Sequence, residues 1–379
     1  MNHKLKYIIL GLQLVILLVP AAYIALLPSQ IGEITIVQLS GSFYPTKKLP
    51  LKLDTWFSGQ YVSRMNEYAK ENYPVRPWFV RANNQLDYSL FNHSANQRIV
   101  VGKNGELYDK TYIDAWLGKD LIANDSAESL VRKIANLQDY LQPFNTRVLV
   151  ITPPGKPTFM PEMIPGHYLK NPQITTNREQ FTRLLDQYHV PNIDYSQFPE
   201  VQKETDIRLY PRTGLHWSHW GAAIAADSMR SKALSLTGLY LPEMTYSPQT
   251  YYQRNDTDWE VERAMNLLFA IPGNQATKPV YNFSATDTTQ QKPKVIVIGD
   301  SYYKIWYDQG LHEKLFHPQS QFWYYGLELL PHREINGERA SVMSLDVIEE
   351  MKQADLIILL NAEINLPRLG FEVWEKIIF

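Results

Sequence analysis

Three short runs of unbroken apolar residues constrain this chain more than anything else in it: Val148 to Ile151, Val295 to Ile298 and Leu356 to Leu360. A strand with one wet face alternates apolar and polar residues, so a run without a polar position belongs to a strand covered on both faces. Helical periodicity separates the runs. Asp125 and Glu128 form a capping pattern ahead of Leu130, Ile134, Leu137 and Leu141 on one helix face. Covered strands joined through helices predict an α/β fold, a parallel sheet with helices on both sides. Each run also ends in residues able to do chemistry. Thr152-Pro153-Pro154-Gly155-Lys156 follows the first, Gly299-Asp300-Ser301 the second, and Asn361 and Glu363 the third. In such a sheet, ligands sit beyond the carboxyl ends of the strands, so a site is expected there.

The N-terminus has a different character. Tyr7 to Leu27 carries no charge and is preceded by His3, Lys4 and Lys6. That length crosses a bilayer, and the basic residues keep the N-terminus in the cytoplasm. A cleaved signal peptide is the competing reading, but the apolar stretch is long for one and no small-x-small site comes after it. The expected organisation is a single-pass anchor over 1–29, a helical stem over 30–97, and a domain over 98–379 outside the cytoplasm, with the stem packed on that domain. Within the stem, Trp56, Tyr61, Met65 and Tyr68 have helical spacing. Pro74 and Pro77 break it, and Phe79, Leu86, Leu90 and Phe91 mark a second helix. Ile99 to Gly102 and Gly105 to Tyr108 read as a hairpin turned at Lys103-Asn104-Gly105. Residues 239–293 are polar and aromatic with weak periodicity, a long excursion near the site.

Composition closes off some functions. The chain has no cysteine, which removes disulfides, thiolate metal sites and cysteine nucleophiles. A net charge of -2 leaves no basic field for nucleic acid. Aromatic residues make up 12%, which suits carbohydrate handling and equally suits cores and interfaces.

Ser301 stands at a strand-to-helix corner, where its hydroxyl is exposed beside helix N–H groups able to stabilise an oxyanion. Gly-Asp-Ser also serves simply to turn a chain and cap a helix. His216, in Thr213-Gly214-Leu215-His216-Trp217-Ser218-His219, lies just before a helix capped by Ser218. It can act as a general base, or it can sit hydrogen-bonded between tryptophans. His216, His219 and Asp206 fit no metal-ligand pattern, so no metal and no cofactor are expected. Lys156 can reach a substrate or stand solvated on its loop. Asn361 and Glu363 can cap their turn or point to the rim, and the sequence identifies no partner for Asp256 and Asp258.

Together these residues resemble a family, the SGNH-hydrolase-like proteins of the alginate O-acetyltransferase AlgJ/AlgX type. The resemblance covers most of residues 70–370. It runs through Val100-Val101-Gly102-Lys103-Asn104-Gly105-Glu106-Leu107, Pro154-Gly155-Lys156, His216-Trp217, Gly299-Asp300-Ser301 and Glu363-Ile364-Asn365-Leu366. The histidine precedes the serine, as in that type, whereas ordinary SGNH esterases reverse the order. The resemblance implies a doubly wound parallel sheet and acetyl transfer to hydroxyls of an extracellular polysaccharide. Ser301 would be the nucleophile and His216 the base, with a multispanning membrane-bound O-acyltransferase as partner. Lys156, Arg212, Trp217, Tyr302 and Asn361 are the substrate-binding candidates. An esterase acting on surface glycans and a non-catalytic polysaccharide-binding scaffold are the alternatives.

One departure matters. The family usually has an aspartate two residues before the histidine, and here that residue is Gly214; Thr213 occupies the position used by Asp-x-x-His enzymes. A bare Ser-His dyad, a substitute carboxylate and loss of catalysis are the three outcomes. Glu363, assigned to the same rim, is the expected substitute.

Overall fold

The structure is a computed structural model. It describes residues 3–26, 39–41, 46–71, 76–170, 175–253, 256–273, 275–284, 290–335 and 337–377. Contacts divide the chain into two compact units. One comprises residues up to Asn96 together with Glu262–Ile271, and the other comprises Gln97–Val261 and Pro272–Phe379.

The first unit is helical: α1 (His3–Leu26), α2 (Leu53–Phe57), α3 (Gln60–Glu71) and α4 (Arg76–Phe91). Helix α1 is 24 residues long, and its side chains are described only for residues 4–15 and 18. Among the described residues no helix is long and apolar enough to cross a membrane. The expected span ends at Leu27, outside the described residues.

The second unit opens with the hairpin β1 (Ile99–Val101) and β2 (Leu107–Asp109), and Asn104 and Gly105 take positive φ at its turn. Next come α5 (Lys110–Trp116), α6 (Asn124–Leu141), β3 (Arg147–Ile151), α7 (Lys156–Phe159), α8 (Asn177–Gln187), β4 (Asn192–Ile193), α9 (Phe198–Lys203) and α10 (His219–Thr237). Strands β5 (Met244–Tyr251) and β6 (Ala276–Phe283) pair as a hairpin, and α11 (Glu260–Ala264) begins between them. The chain finishes with β7 (Val295–Gly299), α12 (Ser301–Asp308), α13 (Leu311–Leu315), β8 (Gln321–Tyr324), β9 (Glu328–Leu330), the small pair β10 (Glu334–Ile335) and β11 (Glu338–Arg339), α14 (Val347–Lys352) and β12 (Leu356–Leu360).

The main sheet has the order β4-β3-β12-β7-β8-β9. All neighbours are parallel except β8 and β9, which run antiparallel. The three apolar runs are its adjacent central strands, with Ile151 and Gly299 both level with Leu360. Alternation along each strand feeds two cores. Leu149, Ile151, Val297, Ile358 and Leu360 pack with Ala222, Ala226 and Met229 of α10 and with Ile305 and Trp306 of α12. Val148, Val150, Ile298, Ile357 and Leu359 pack with Val131, Ile134 and Leu137 of α6 and with Phe181 and Leu184 of α8. Each fully buried Val, Leu, Ile, Phe or Met among them contributes roughly 1.5–3 kcal/mol. No polar position is tolerated because neither face of these strands meets water.

Candidate active site

The corner after β7 holds Ser301. Asp300 is the N-cap of α12: its Oδ1 accepts from the Tyr302 amide at 3.0 Å. Its Oδ2 accepts from the Ala362 amide at 2.7 Å and from Asn365 Nδ2 at 2.8 Å. The buried aspartate therefore ties the serine corner to the loop after β12, and Ser301 begins the helix half-buried at the sheet's carboxyl rim.

His216 reaches that corner from the loop before α10. Ser218 caps the helix by accepting from the Gly221 amide at 2.9 Å. A Cβ on Gly221 would lie 2.3 Å from the Leu209 carbonyl oxygen, so the start of α10 can pack here only with glycine. The imidazole is buried with Nε2 2.6 Å from Ser301 Oγ and Nδ1 2.5 Å from Glu260 Oε1. The same Glu260 oxygen accepts from the backbone amides of Leu215 and His216 at 2.9 and 3.3 Å. Burial lowers the His216 pKa, but the charge and hydrogen bond of Glu260 outweigh it, so the net shift is upward. For Glu260, burial raises the pKa, and His216 and the two amides reverse that into a net lowering. A serine, a histidine and an ionised carboxylate thus stand in one hydrogen-bonded line, the arrangement that turns a hydroxyl into a nucleophile.

The carboxylate in that line is Glu260, and this corrects the expectation for Glu363. Glu363 lies 2.8 Å from Thr158 Oγ1 and 3.4 Å from Arg178 Nε. Burial raises its pKa to about 7. Glu260 comes instead from the excursion, which is zipped onto the histidine loop. The Val261 amide donates to the Thr213 carbonyl at 3.1 Å, and Thr213 Oγ1 donates to the Asp258 carbonyl at 3.0 Å. This packing explains the missing aspartate. A Cβ on Gly214 would lie 2.5 Å from Pro211 Cγ, 2.9 Å from the Thr257 carbonyl oxygen and 3.1 Å from that of Asp258. The segment that brings Glu260 fills the space a side chain at position 214 would need.

Most of the substrate-binding candidates are sealed off. Lys156 is fully buried. Its Nζ donates to the carbonyls of Leu107, Pro211 and Arg212 at 3.0, 2.7 and 2.8 Å and pairs with Glu106 at 2.9 Å, and burial lowers its pKa to about 8. It is a fastener rather than a substrate contact. Trp217 is buried and stacked on Trp306 at 5.1 Å, so its faces are closed to a sugar ring. Tyr302, also buried, supports the His216 ring edge-on at 4.8 Å. Asn361 is buried, with Nδ2 3.3 Å from the Asn365 carbonyl. Arg212 donates to the Pro272 carbonyl at 2.6 Å. Rim position in the sequence did not decide orientation: these side chains turn inward to satisfy buried carbonyls or to pack.

One residue outside the expected set joins the site. Tyr325, just past β8 with positive φ, anchors its amide on the Gly299 carbonyl at 2.8 Å. Burial raises the pKa of its phenol and the neighbouring Ser301 lowers it only in part, so it stays protonated at neutral pH. It is a donor beside the place where an oxyanion would form. Beside the line, His219, Asp256 and Asp258 bring ligand-type atoms within 4.8 Å of one another. Gln309 Nε2 donates to His219 Nδ1 at 2.9 Å, which leaves Nε2–H facing Asp256 Oδ1 at 2.5 Å. Lys278 Nζ stands 3.3 Å from the other Asp256 oxygen.

The family model described as "SGNH hydrolase-like domain, acetyltransferase AlgX" matches residues 99–329. The chain belongs to this family. The match takes in His216, Glu260, Ser301 and Tyr325. Among solved structures, the O-acetyltransferase domain of Pseudomonas putida AlgJ is 17% identical, with 71% of this chain and 92% of that one covered at a TM-score of 0.43. Pseudomonas aeruginosa AlgX is 10% identical over 73% and 67% of the two chains, TM-score 0.47. Bacillus cereus PatB1 is 12% identical over 71% and 96%, TM-score 0.43. No curated protein matches this chain.

Proposed function

We propose that this protein is a membrane-anchored O-acetyltransferase that acetylates an extracellular or periplasmic polysaccharide through an acetyl-Ser301 intermediate. The observation that carries the reading is the unbroken line Ser301 Oγ, His216 Nε2, His216 Nδ1, Glu260 Oε1, with contacts of 2.6 and 2.5 Å. Ser301 Oγ attacks the acyl carbon of a donor as its proton passes to His216 Nε2. Glu260 holds the imidazolium, and Tyr325 with the Ser301 amide receives the oxyanion. Collapse releases the donor's leaving group, which takes the proton from His216. A sugar hydroxyl then gives its proton to His216 and attacks the acetyl carbon. Expulsion of Ser301 Oγ, reprotonated by His216, leaves the acetyl ester on the sugar.

The uncharged stretch from Tyr7, with Lys4 and Lys6 before it, supports a single-pass anchor with the N-terminus in the cytoplasm. A multispanning membrane-bound O-acyltransferase is the partner suited to deliver acetyl groups to an anchored domain on the far side. The scaffold alternative drew its force from the missing aspartate, and Glu260 at His216 Nδ1 removes that reason. Incubation with a chromogenic acetyl ester and an oligosaccharide acceptor tests the reading. Wild type is expected to yield acetylated oligosaccharide and Ser301→Ala none. Release of free acetate alone, with the acceptor unchanged, would make the protein an esterase.

A further inference from the structure

In the helical unit, α2 and α4 carry large apolar side chains that are exposed. Helices α2, α3 and α4 contain no buried residue. The polar side of α4 is used within the unit. Arg81 Nη1 donates to the Leu267 carbonyl at 3.1 Å, Asn84 Nδ2 to the Met265 carbonyl at 2.8 Å, and the Phe269 amide to Gln85 Oε1 at 3.0 Å. The opposite side of the same helix carries Phe79, Leu86 and Leu90, exposed by 49, 59 and 67%. Their spacing of seven and four residues puts them on one stripe. In α2, Trp56 and Phe57 are also exposed, with Leu51 and Leu53 beside them. Among the described residues nothing covers this apolar stripe, which has the helical period of an amphipathic helix.

Charge and chain continuity identify the cover. Residues 46–91 hold seven Lys and Arg against four Asp and Glu, a net +3 in a chain whose total is -2. The excess is Lys47, Lys48 and Lys52, exposed just before α2, while the three helices themselves balance; a basic segment beside exposed Trp, Phe and Leu suits the boundary between anionic headgroups and acyl chains. Residues 46–91 also follow α1 closely, since only residues 27–45 intervene, at most about 70 Å even when fully extended. We propose that the apolar face of α2 and α4 lies on the outer surface of the membrane, seated on anionic lipid. The inference rests on the reading of α1 as an anchor. Such seating confines the unit to the bilayer surface, so that the chain beyond Asn96 emerges at headgroup level.

The absence of cysteine makes the test clean, because one introduced thiol is the sole labelling site. Full-length Leu86→Cys and Phe57→Cys variants, labelled with a polarity-sensitive fluorophore, are placed in nanodiscs rich in phosphatidylglycerol or made of phosphatidylcholine. Ser235→Cys on the exposed side of α10 is the control. Co-elution with discs, a blue shift and quenching by spin-labelled lipid at positions 86 and 57 in anionic discs, weakened by salt and absent at 235, support the proposal. Failure to co-elute with discs refutes the anchor and the inference with it. Co-elution with an unshifted probe overturns the inference alone. So does a shift that follows protein concentration in detergent, which indicates a second copy, or one that needs a co-expressed membrane protein.

Discussion

Glu260→Gln is the most informative single substitution. An amide oxygen can still accept from His216 Nδ1–H, so the tautomer is kept and the charge alone is lost. In the transition state His216 becomes an imidazolium against Glu260, whose Oε1 is 2.5 Å from Nδ1. Two unit charges about 4 Å apart at an effective dielectric of about 20 attract by roughly 4 kcal/mol. Losing that attraction slows turnover about a thousandfold. The pH profile changes too. His216 must be neutral to accept the serine proton, and its pKa stands above 6.5 because Glu260 outweighs burial. Wild-type activity therefore rises as pH increases through that raised value. In the variant burial is opposed only by the charges of Asp300 and Asp258, so the inflection moves down while the plateau falls, and the measured loss is larger at high pH than at low pH. The assay is hydrolysis of a chromogenic acetyl ester across pH. A plateau reduced less than about tenfold, with the inflection unmoved, would refute Glu260 as the partner of His216.

Gly214→Asp does not rescue Glu260→Gln: a Cβ at position 214 meets Pro211 Cγ at 2.5 Å and two carbonyl oxygens near 3 Å. Overpacking of this kind costs about 1–3 kcal/mol, so melting temperature falls and activity stays at the Glu260→Gln level. Glu363→Gln keeps turnover within about tenfold of wild type, since Glu363 engages Thr158 and Arg178. Its stability effect depends on pH. The folded carboxyl titrates near 7, raised from 4.5, so the stability it contributes is present below 4.5 and lost as pH rises through 7. Glutamine cannot ionise, and urea denaturation at pH 5 and 8 should show the variant gaining on wild type by up to about 3 kcal/mol at the higher pH.

The three apolar strands were legible because a strand covered on both faces admits only apolar residues, and all three proved adjacent and parallel. The corner at Ser301, the Ser218 cap before α10 and the hairpin turned at Asn104 were legible for similar local reasons: each rests on contacts a few residues apart. Glu260 was not. It lies 44 residues from His216 in a segment with weak periodicity, and only folding of the excursion onto Thr213 and Gly214 brings it there. A signal did exist in Gly214 itself, since a glycine where a carboxylate is expected marks space taken by another part of the chain. Lys156 and Trp217 misled for the opposite reason. Sequence places a residue at a rim, but burial and unsatisfied carbonyls decide which way its side chain turns.

If Ser301, driven by His216 and Glu260, carries the acetyl group, the acetylated serine must exist during turnover. Rapid quenching while a chromogenic acetyl ester is being consumed, followed by mass spectrometry of the peptide containing Gly299-Asp300-Ser301, looks for it. One acetyl group on Ser301 is predicted in wild type, accumulating far more slowly in Glu260→Gln and absent in His216→Ala. Turnover with Ser301 unmodified throughout, or with the acetyl group on another residue, contradicts that role for the serine.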